Sequence, residues 1–299
     1  MVTINRILCP VDFSGHSRLA LDYATVLARW YEAEVVALHA YAIAMVPATI
    51  GAMPAMTTVG VPLTREEIER DLETFVRPAQ AAEVKTTATV TTGGPARTIL
   101  ETADRIQASL IVMGTHGASG FERLVLGSVT EKVLRKARCP VLVVPRNADA
   151  PGGPKPLFRR ILCANDFSPC SNKAISYGLS LAEEAGGALT FLHVVEGLDH
   201  EPVENAHFNV PEYRQHLISD AERRLRALVP TETRTWCECS AVVRTGKAYR
   251  EILDTARTID ADLIVLGVRG RNAVDLALFG STTNHVVRSA ECPVLTVRS

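Results

Sequence analysis

The chain carries almost no net charge, −1 at pH 7 from 32 basic and 33 acidic residues. A protein that holds nucleic acid or an anionic membrane through its field has a basic excess, so neither partner is expected. No apolar run approaches the roughly 20 residues that cross a bilayer, which argues against a membrane-spanning helix. Met1 to Pro10 lacks the long apolar segment and small-residue cleavage site of a secretory leader. Seven cysteines, an odd number spread over 299 residues, do not make a disulfide framework, so reduced thiols and a cytoplasmic location are expected. Cys237-x-Cys239 puts two thiols on one strand face but has no second pair to complete a zinc site, and no metal is expected. Cys9, Cys139, Cys163 and Cys292 recur inside or beside apolar strands and read as core filling.

What is present is an ordinary globular composition, 47% hydrophobic and 22% charged, in a length that suits about two domains. Asn5 to Val11 is a short apolar run that reads as a buried strand, with Ser14 or Ser17 placed to cap a following helix. Leu19, Ala20, Tyr23, Ala24, Leu27 and Ala28 form its apolar stripe. Ala33 to Tyr41 is a second strand. Ala42 to Leu63 is a loop rich in Met, Pro, Gly and Thr, in which Met53 and Met56 suggest a lid or a partner surface, or only a surface loop. Thr64 and Glu67 form a capping signature. Val84 to Thr92 is a strand, Ala96 to Gln107 a helix, Leu110 to Met113 a strand, Ser128 to Ala137 a helix, and Pro140 to Val144 a last strand. Buried strands alternating with helices predict a parallel sheet covered on both faces.

The second half repeats the first. Arg159 to Phe167 (RRILCANDF) mirrors Asn5 to Phe13 (NRILCPVDF), and Cys292-Pro293-Val294-Leu295 mirrors Cys139-Pro140-Val141-Leu142. His39 and His193 also answer each other at strand ends, where structural roles are expected. Arg146 to Leu157, rich in Pro and Gly, reads as a linker. We therefore expect a domain over residues 1–146, a linker over 147–157 and a second domain over 158–299.

The most informative repeat begins at Ile111. Gly114-Thr115-His116-Gly117 is followed after nine residues by Gly127-Ser128-Val129, and Gly267-Val268-Arg269-Gly270 after nine by Gly280-Ser281-Thr282, the two copies 153 positions apart. Each is a strand, a loop of bare backbone N–H groups and a helix start, an arrangement that suits a phosphate. One glycine loop is weak support; two in equivalent places are much stronger.

With these motifs the chain resembles the universal stress protein family in its tandem two-domain form. That family's nucleotide signature, G-x2-G-x9-G-[ST], is complete in both halves, and Asp12 and Asp166 match the family's strand-end aspartate. The resemblance implies two tandem doubly wound α/β domains, each a five-stranded parallel sheet of order 3-2-1-4-5. It also implies ATP binding, with or without Mg2+, and dimerisation through the last strand. In that order the ligand lies between the first and fourth strands. Asp12, following Val11, and Asp166, following Asn165, would accept from ribose or adenine-side donors. Gly114 and Gly117, with Gly267 and Gly270, would let phosphates approach the backbone. Gly127-Ser128-Val129 and Gly280-Ser281-Thr282 would offer N–H groups and a hydroxyl. Pro10, Ala40 and Met113 would flank the base, as would Ala164, Val194 and Leu266. His116 and Arg269 are either phosphate contacts or solvated loop side chains.

Plainer readings stand beside these. Ser128-x-x-Glu131 reads as a capping box that needs no ligand, and Asp12 as a cap of its own helix. Asn165 for Val11, Ala164 for Pro10 and Val268-Arg269 for Thr115-His116 predict unequal affinities in the two halves. The favoured function is an ATP-binding stress-response regulator with an unknown protein partner and a homodimeric state. The alternatives are a slow ATP hydrolase and a nucleotide-free interaction module. The chain has no serine-rich pyrophosphatase loop and no evident acid–base pair beyond Asp12. The last strands, each an open edge, are expected to pair with each other across a pseudo-twofold axis.

Overall fold

A computed structural model describes residues 2–41, 64–115, 126–153, 156–196, 210–229, 233, 237–268 and 280–298. The loop holding Met53 and Met56 lies outside the described residues.

The first half runs β1 (Arg6–Pro10), α1 (Gly15–Trp30), β2 (Glu34–Tyr41), α2 (Arg65–Ala81), β3 (Thr86–Thr92), α3 (Pro95–Arg105), β4 (Leu110–Gly114), α4 (Ser128–Lys136) and β5 (Val141–Val144). The second runs β6 (Arg160–Ala164), α5 (Pro169–Ala185), β7 (Ala188–Val195), α6 (Val210–Leu228), β8 (Cys239–Thr245), α7 (Ala248–Thr258), β9 (Leu263–Gly267), α8 (Ser281–Ser289) and β10 (Val294–Val297). The expected stripe of α1 is buried at Ala20, Tyr23, Ala24, Leu27 and Ala28. The capping box of α2 is formed, Glu67 N–H donating to Thr64 Oγ1 at 3.2 Å and Thr64 N–H to Glu67 Oε2 at 2.7 Å.

Each half has the strand order that the resemblance implied, and the halves join into one ten-stranded sheet, β3-β2-β1-β4-β5-β10-β9-β6-β7-β8. Every strand pair is parallel except β5 with β10, which meet antiparallel with Leu142 opposite Leu295. The two closing strands thus cover each other's edges, as expected. Thr296 Oγ1 donates to Val141 O at 3.1 Å, and the Arg298 guanidinium donates to Arg135 O at 2.6 Å, holding the end of α4.

Both faces of the sheet are covered. α1, α2 and α5 pack on one face and α3, α4, α7 and α8 on the other, and each of the two cores runs through both halves. The chain between the halves is tied down, since Tyr23 Oη donates to Asp149 O at 2.8 Å. Phe158, fully buried, sits against Tyr23 and Trp30 of the first half, with ring centroids 6.0 and 5.8 Å away.

The repeated cysteines do fill or border the cores. Burial pushes the Cys9 and Cys163 thiols up to about 12, Cys139 up to about 11 and Cys292 up to about 12. A rise from 9.0 to about 12 leaves roughly a thousandth of the usual thiolate at neutral pH. Alkylation of these four in the native protein is expected to be slower than that of a free thiol by at least roughly a hundredfold. Rates close to a free thiol, measured by mass spectrometry, would contradict this packing.

Candidate functional site

β1 lies between β2 and β4, so the chain crosses from one side of β1 to the other between β3 and β4. Such a reversal leaves a crevice at the carboxyl ends of the strands. β6, between β7 and β9, repeats it.

The loop leaving β1 is tightly determined. Val11 N–H donates to Leu38 O at 2.8 Å, and Val11 O accepts from His39 Nδ1 at 2.8 Å. A carbonyl can only accept, so Nδ1 carries the proton. Asn165 repeats both bonds, with Leu192 O and with His193 Nδ1, each at 2.8 Å. The two histidines are staples of this loop, the structural role expected for them. Val11 and Asn165 therefore have both backbone polar groups engaged. The buried Asn165 side chain is engaged as well: it accepts from Phe167 N–H at 2.7 Å and donates to Asn172 Oδ1 at 3.1 Å.

Asp12 stands just before α1 but does not cap it. Ser14 is the N-cap, its Oγ accepting from Ser17 N–H at 3.2 Å. Asp12 Oδ1 accepts from Ser14 N–H at 3.1 Å and from Ser14 Oγ–H at 2.6 Å. Asp166 Oδ1 accepts from Ser168 N–H at 3.1 Å in the same way. Both carboxylates are held at the crevice rim, half-exposed.

On the other side of the crevice, Gly114 ends β4. An added Cβ there would lie 3.0 Å from His16 Cβ, and at Gly267 it would lie 2.7 Å from Ser171 N and 2.9 Å from Cys170 C. The first turns of α1 and α5 thus cross directly over these strand ends. Close packing of helix on strand is enough to require glycine here, with no ligand invoked. Gly267→Ala is expected to cost about 1–2 kcal/mol, because the obstructing atoms are backbone, and Gly114→Ala less. Urea unfolding checks the order; equal stabilities would contradict it.

α4 and α8 hang from these strand ends by matching bonds. Thr130 Oγ1 donates to Gly114 O at 3.0 Å and Gly127 N–H to Thr115 O at 2.8 Å. Thr283 Oγ1 donates to Gly267 O at 3.0 Å and Gly280 N–H to Val268 O at 3.2 Å. Sequence reasoning missed Thr130 and Thr283; their signal was the recurrence of a threonine three residues after each Gly127 and Gly280.

The capping-box reading of Ser128 and Glu131 is corrected. The N-cap of α4 is Gly127 (φ −56°, ψ 137°), Ser128 is already the first helical residue, and no side chain among the described residues caps the helix. Glu131 instead pairs with Arg135 at 2.8 Å and with Arg288 of the second half at 3.6 Å. α8 starts identically at Gly280 with no side-chain cap among the described residues, and Ser128 and Ser281 are both exposed. The N–H groups at such a start point outward with the positive end of the helix dipole.

The apolar residues converge as well. Strand alternation places Pro10, Ala40 and Met113 on the sheet face that carries α4, in line with Leu8, Leu38 and Ile111. Ala164, Val194 and Leu266 occupy the same face beside α8. Val129 packs against that core too, at the helix start. Each half thus carries an apolar shelf, a carboxylate and a glycine-started helix at the carboxyl ends of its strands. Thr282, in the first turn of α8, is half-buried. His116, Gly117, Arg269 and Gly270 lie outside the described residues. Among the described residues, no group of His, Cys, Asp and Glu could hold a metal ion, and no helix is long and apolar enough to cross a membrane.

Known proteins share this fold. The family model of the universal stress protein family matches residues 3–145 and again 157–298. A universal stress protein of Methanocaldococcus jannaschii is 38% identical over 141 residues, 46% of this chain and 81% of that protein. One from Mycolicibacterium smegmatis is 27% identical over 305 residues, covering 98% of this chain and 96% of the relative. In fold, the crystal structure of a universal stress protein from Archaeoglobus fulgidus superimposes with a TM-score of 0.70 at 24% identity, covering 98% of each chain.

Proposed function

The chain belongs to the universal stress protein family, and from that premise we propose that each half binds an adenine nucleotide, ATP in the first instance, and that occupancy regulates a stress response through conformation or partner binding. The observation that carries this reading is the helix start of α4 and α8. Both have a glycine N-cap and, among the described residues, no side-chain cap, and both lie beside an apolar shelf. A helix built only for stability would gain from Ser, Thr or Asp at that position.

In this reading the backbone N–H groups of Ser128 and Val129 receive phosphate oxygens, the Gly127 N–H being held by Thr115 O, and the Ser128 hydroxyl adds a donor. Pro10, Ala40 and Met113 supply the surface for the base, and Asp12 accepts from the sugar or base edge. Ser281 and Thr282 do the same in the second half, with Ala164, Val194, Leu266 and Asp166, while the Gly280 N–H is held by Val268 O. His116 and Gly117, and the more basic Arg269 with Gly270, complete the phosphate loops. Among the described residues no evident catalytic acid–base pair lies at the aspartate, and in this reading the function is binding rather than turnover.

Mass spectrometry of nucleotide carried through native purification, run beside an ATP turnover assay, tests the reading. Bound ATP or AMP without turnover is expected. Steady turnover would make the protein a hydrolase, and no retained or acquired nucleotide would leave an interaction module. Separate titration of Gly117→Glu and Gly270→Glu variants is expected to give different isotherms for the two halves; identical ones would end the inequality.

A further inference from the structure

Cys237 lies within the core and Cys239 packs against it, and they are the cysteines whose sulfurs meet. They flank Glu238 where the chain enters β8, the last strand of the sheet order. Residues two apart on an extended chain share a face, and here the two sulfurs lie 3.7 Å apart, in contact. Cys237 is buried and its thiol donates to Gly187 O at 3.3 Å; Cys239 is half-buried. Burial raises the Cys237 thiol, and the hydrogen bond from Cys239 works against that rise. The pair also sits apart from the nucleotide crevices, which open at the carboxyl ends of the strands, because it precedes the amino end of a parallel strand.

Two sulfurs in contact, one of them on a half-buried residue, can join to each other with no third ligand. We propose that Cys237 and Cys239 are a thiol modification site that closes to an intrachain disulfide by exchange with a low-molecular-weight disulfide such as oxidised glutathione. The Cys239 thiolate, on the more exposed side, attacks one sulfur of the small disulfide; that S–S bond breaks and one thiolate leaves. The Cys237 thiolate then attacks the Cys239 sulfur and displaces the second. The protein dithiol loses two electrons and two protons, and the small disulfide becomes two thiols. A bridge between residues two apart closes a small, strained ring, and strained disulfides are the readily reduced ones. The site therefore closes under oxidising conditions and reopens with a thiol reductant.

Closure has a structural consequence. Cys237 loses its S–H and with it the hydrogen bond to Gly187 O. The Gly187 turn lies directly on the start of the second half, where a Cβ on Gly187 would be 2.4 Å from Phe158 O. The modification thus acts on a turn that abuts the contact between the halves.

The test uses the full native chain, reduced, desalted and incubated with oxidised glutathione. It is then digested without reduction and read by mass spectrometry beside a synthetic peptide spanning Thr235 to Arg244. The peptide carrying Cys237 and Cys239 is expected to lose the mass of two hydrogens in the folded chain and to regain it with dithiothreitol, while Cys9 and Cys163 stay reduced. Cys239→Ser is expected to abolish that loss, leaving at most a glutathione adduct on Cys237. Two free thiols under conditions that close the synthetic peptide would overturn the proposal. So would two separate glutathione adducts, or linkage of either sulfur to another cysteine.

Discussion

Phe158→Ala is expected to destabilise the chain by about 3–5 kcal/mol, the usual cost of emptying a buried aromatic position. Phe158 is fully buried, and it closes the gap where Ile4, Leu27 and Leu142 of the first half face Leu181 and Leu295 of the second. The residues around that gap leave only a small cavity, about 10 Å³, so truncation opens a larger one that both halves must line. Tyr23 and Trp30 lose their ring neighbour at the same time. Because the two cores run through both halves, the loss should lower the whole unfolding transition rather than that of one half. Urea unfolding followed by circular dichroism, with Phe158→Leu as the smaller truncation, reads this. A change below about 1 kcal/mol would mean that the halves are stable without their seam.

Gly127→Asp is expected to move stability and binding in opposite directions. Gly127 has an extended backbone that any residue adopts, and α4 has no side-chain cap among the described residues. Aspartate at an N-cap is better than glycine by a few tenths of a kcal/mol, and its charge complements the helix dipole. The same carboxylate would stand where the phosphates are proposed to bind. Affinity in the first half should fall roughly a hundredfold or more, each tenfold step being about 1.4 kcal/mol. A cap with no ligand-binding role would show the gain in stability and no change in ATP uptake. Isothermal titration and thermal melting of one preparation decide between them.

The fold was largely legible because its signals are local and repeated. The capping box of Thr64 and Glu67, the stripe of α1 and the alternation of apolar strands with helices are each set by neighbours in sequence. The strand order came with the resemblance, and pairing of β5 with β10 followed from two unprotected edges. The site was legible as a set of positions, less so as causes. Ser128 and Glu131 have capping-box spacing, but Thr130 anchors to Gly114 O and the N-cap is Gly127, one residue earlier than that reading needs. Gly114 and Gly267 looked like room for phosphate, yet α1 and α5 crossing the strand ends already demand them. His39 and His193 recur visibly, but that each bonds the carbonyl of Val11 or Asn165 depends on a partner 28 residues away. Contacts of that range are written in the packing and not in any spacing.

Nucleotide stoichiometry tests the central claim most directly. Nucleotide-free full-length protein titrated with ATP in a calorimeter should bind two molecules per chain. Gly127→Asp and Gly280→Asp should each remove one of them, and together remove both from a protein that is still folded. Absence of uptake by the unmodified chain, or ATP binding that survives the double substitution, would contradict the account.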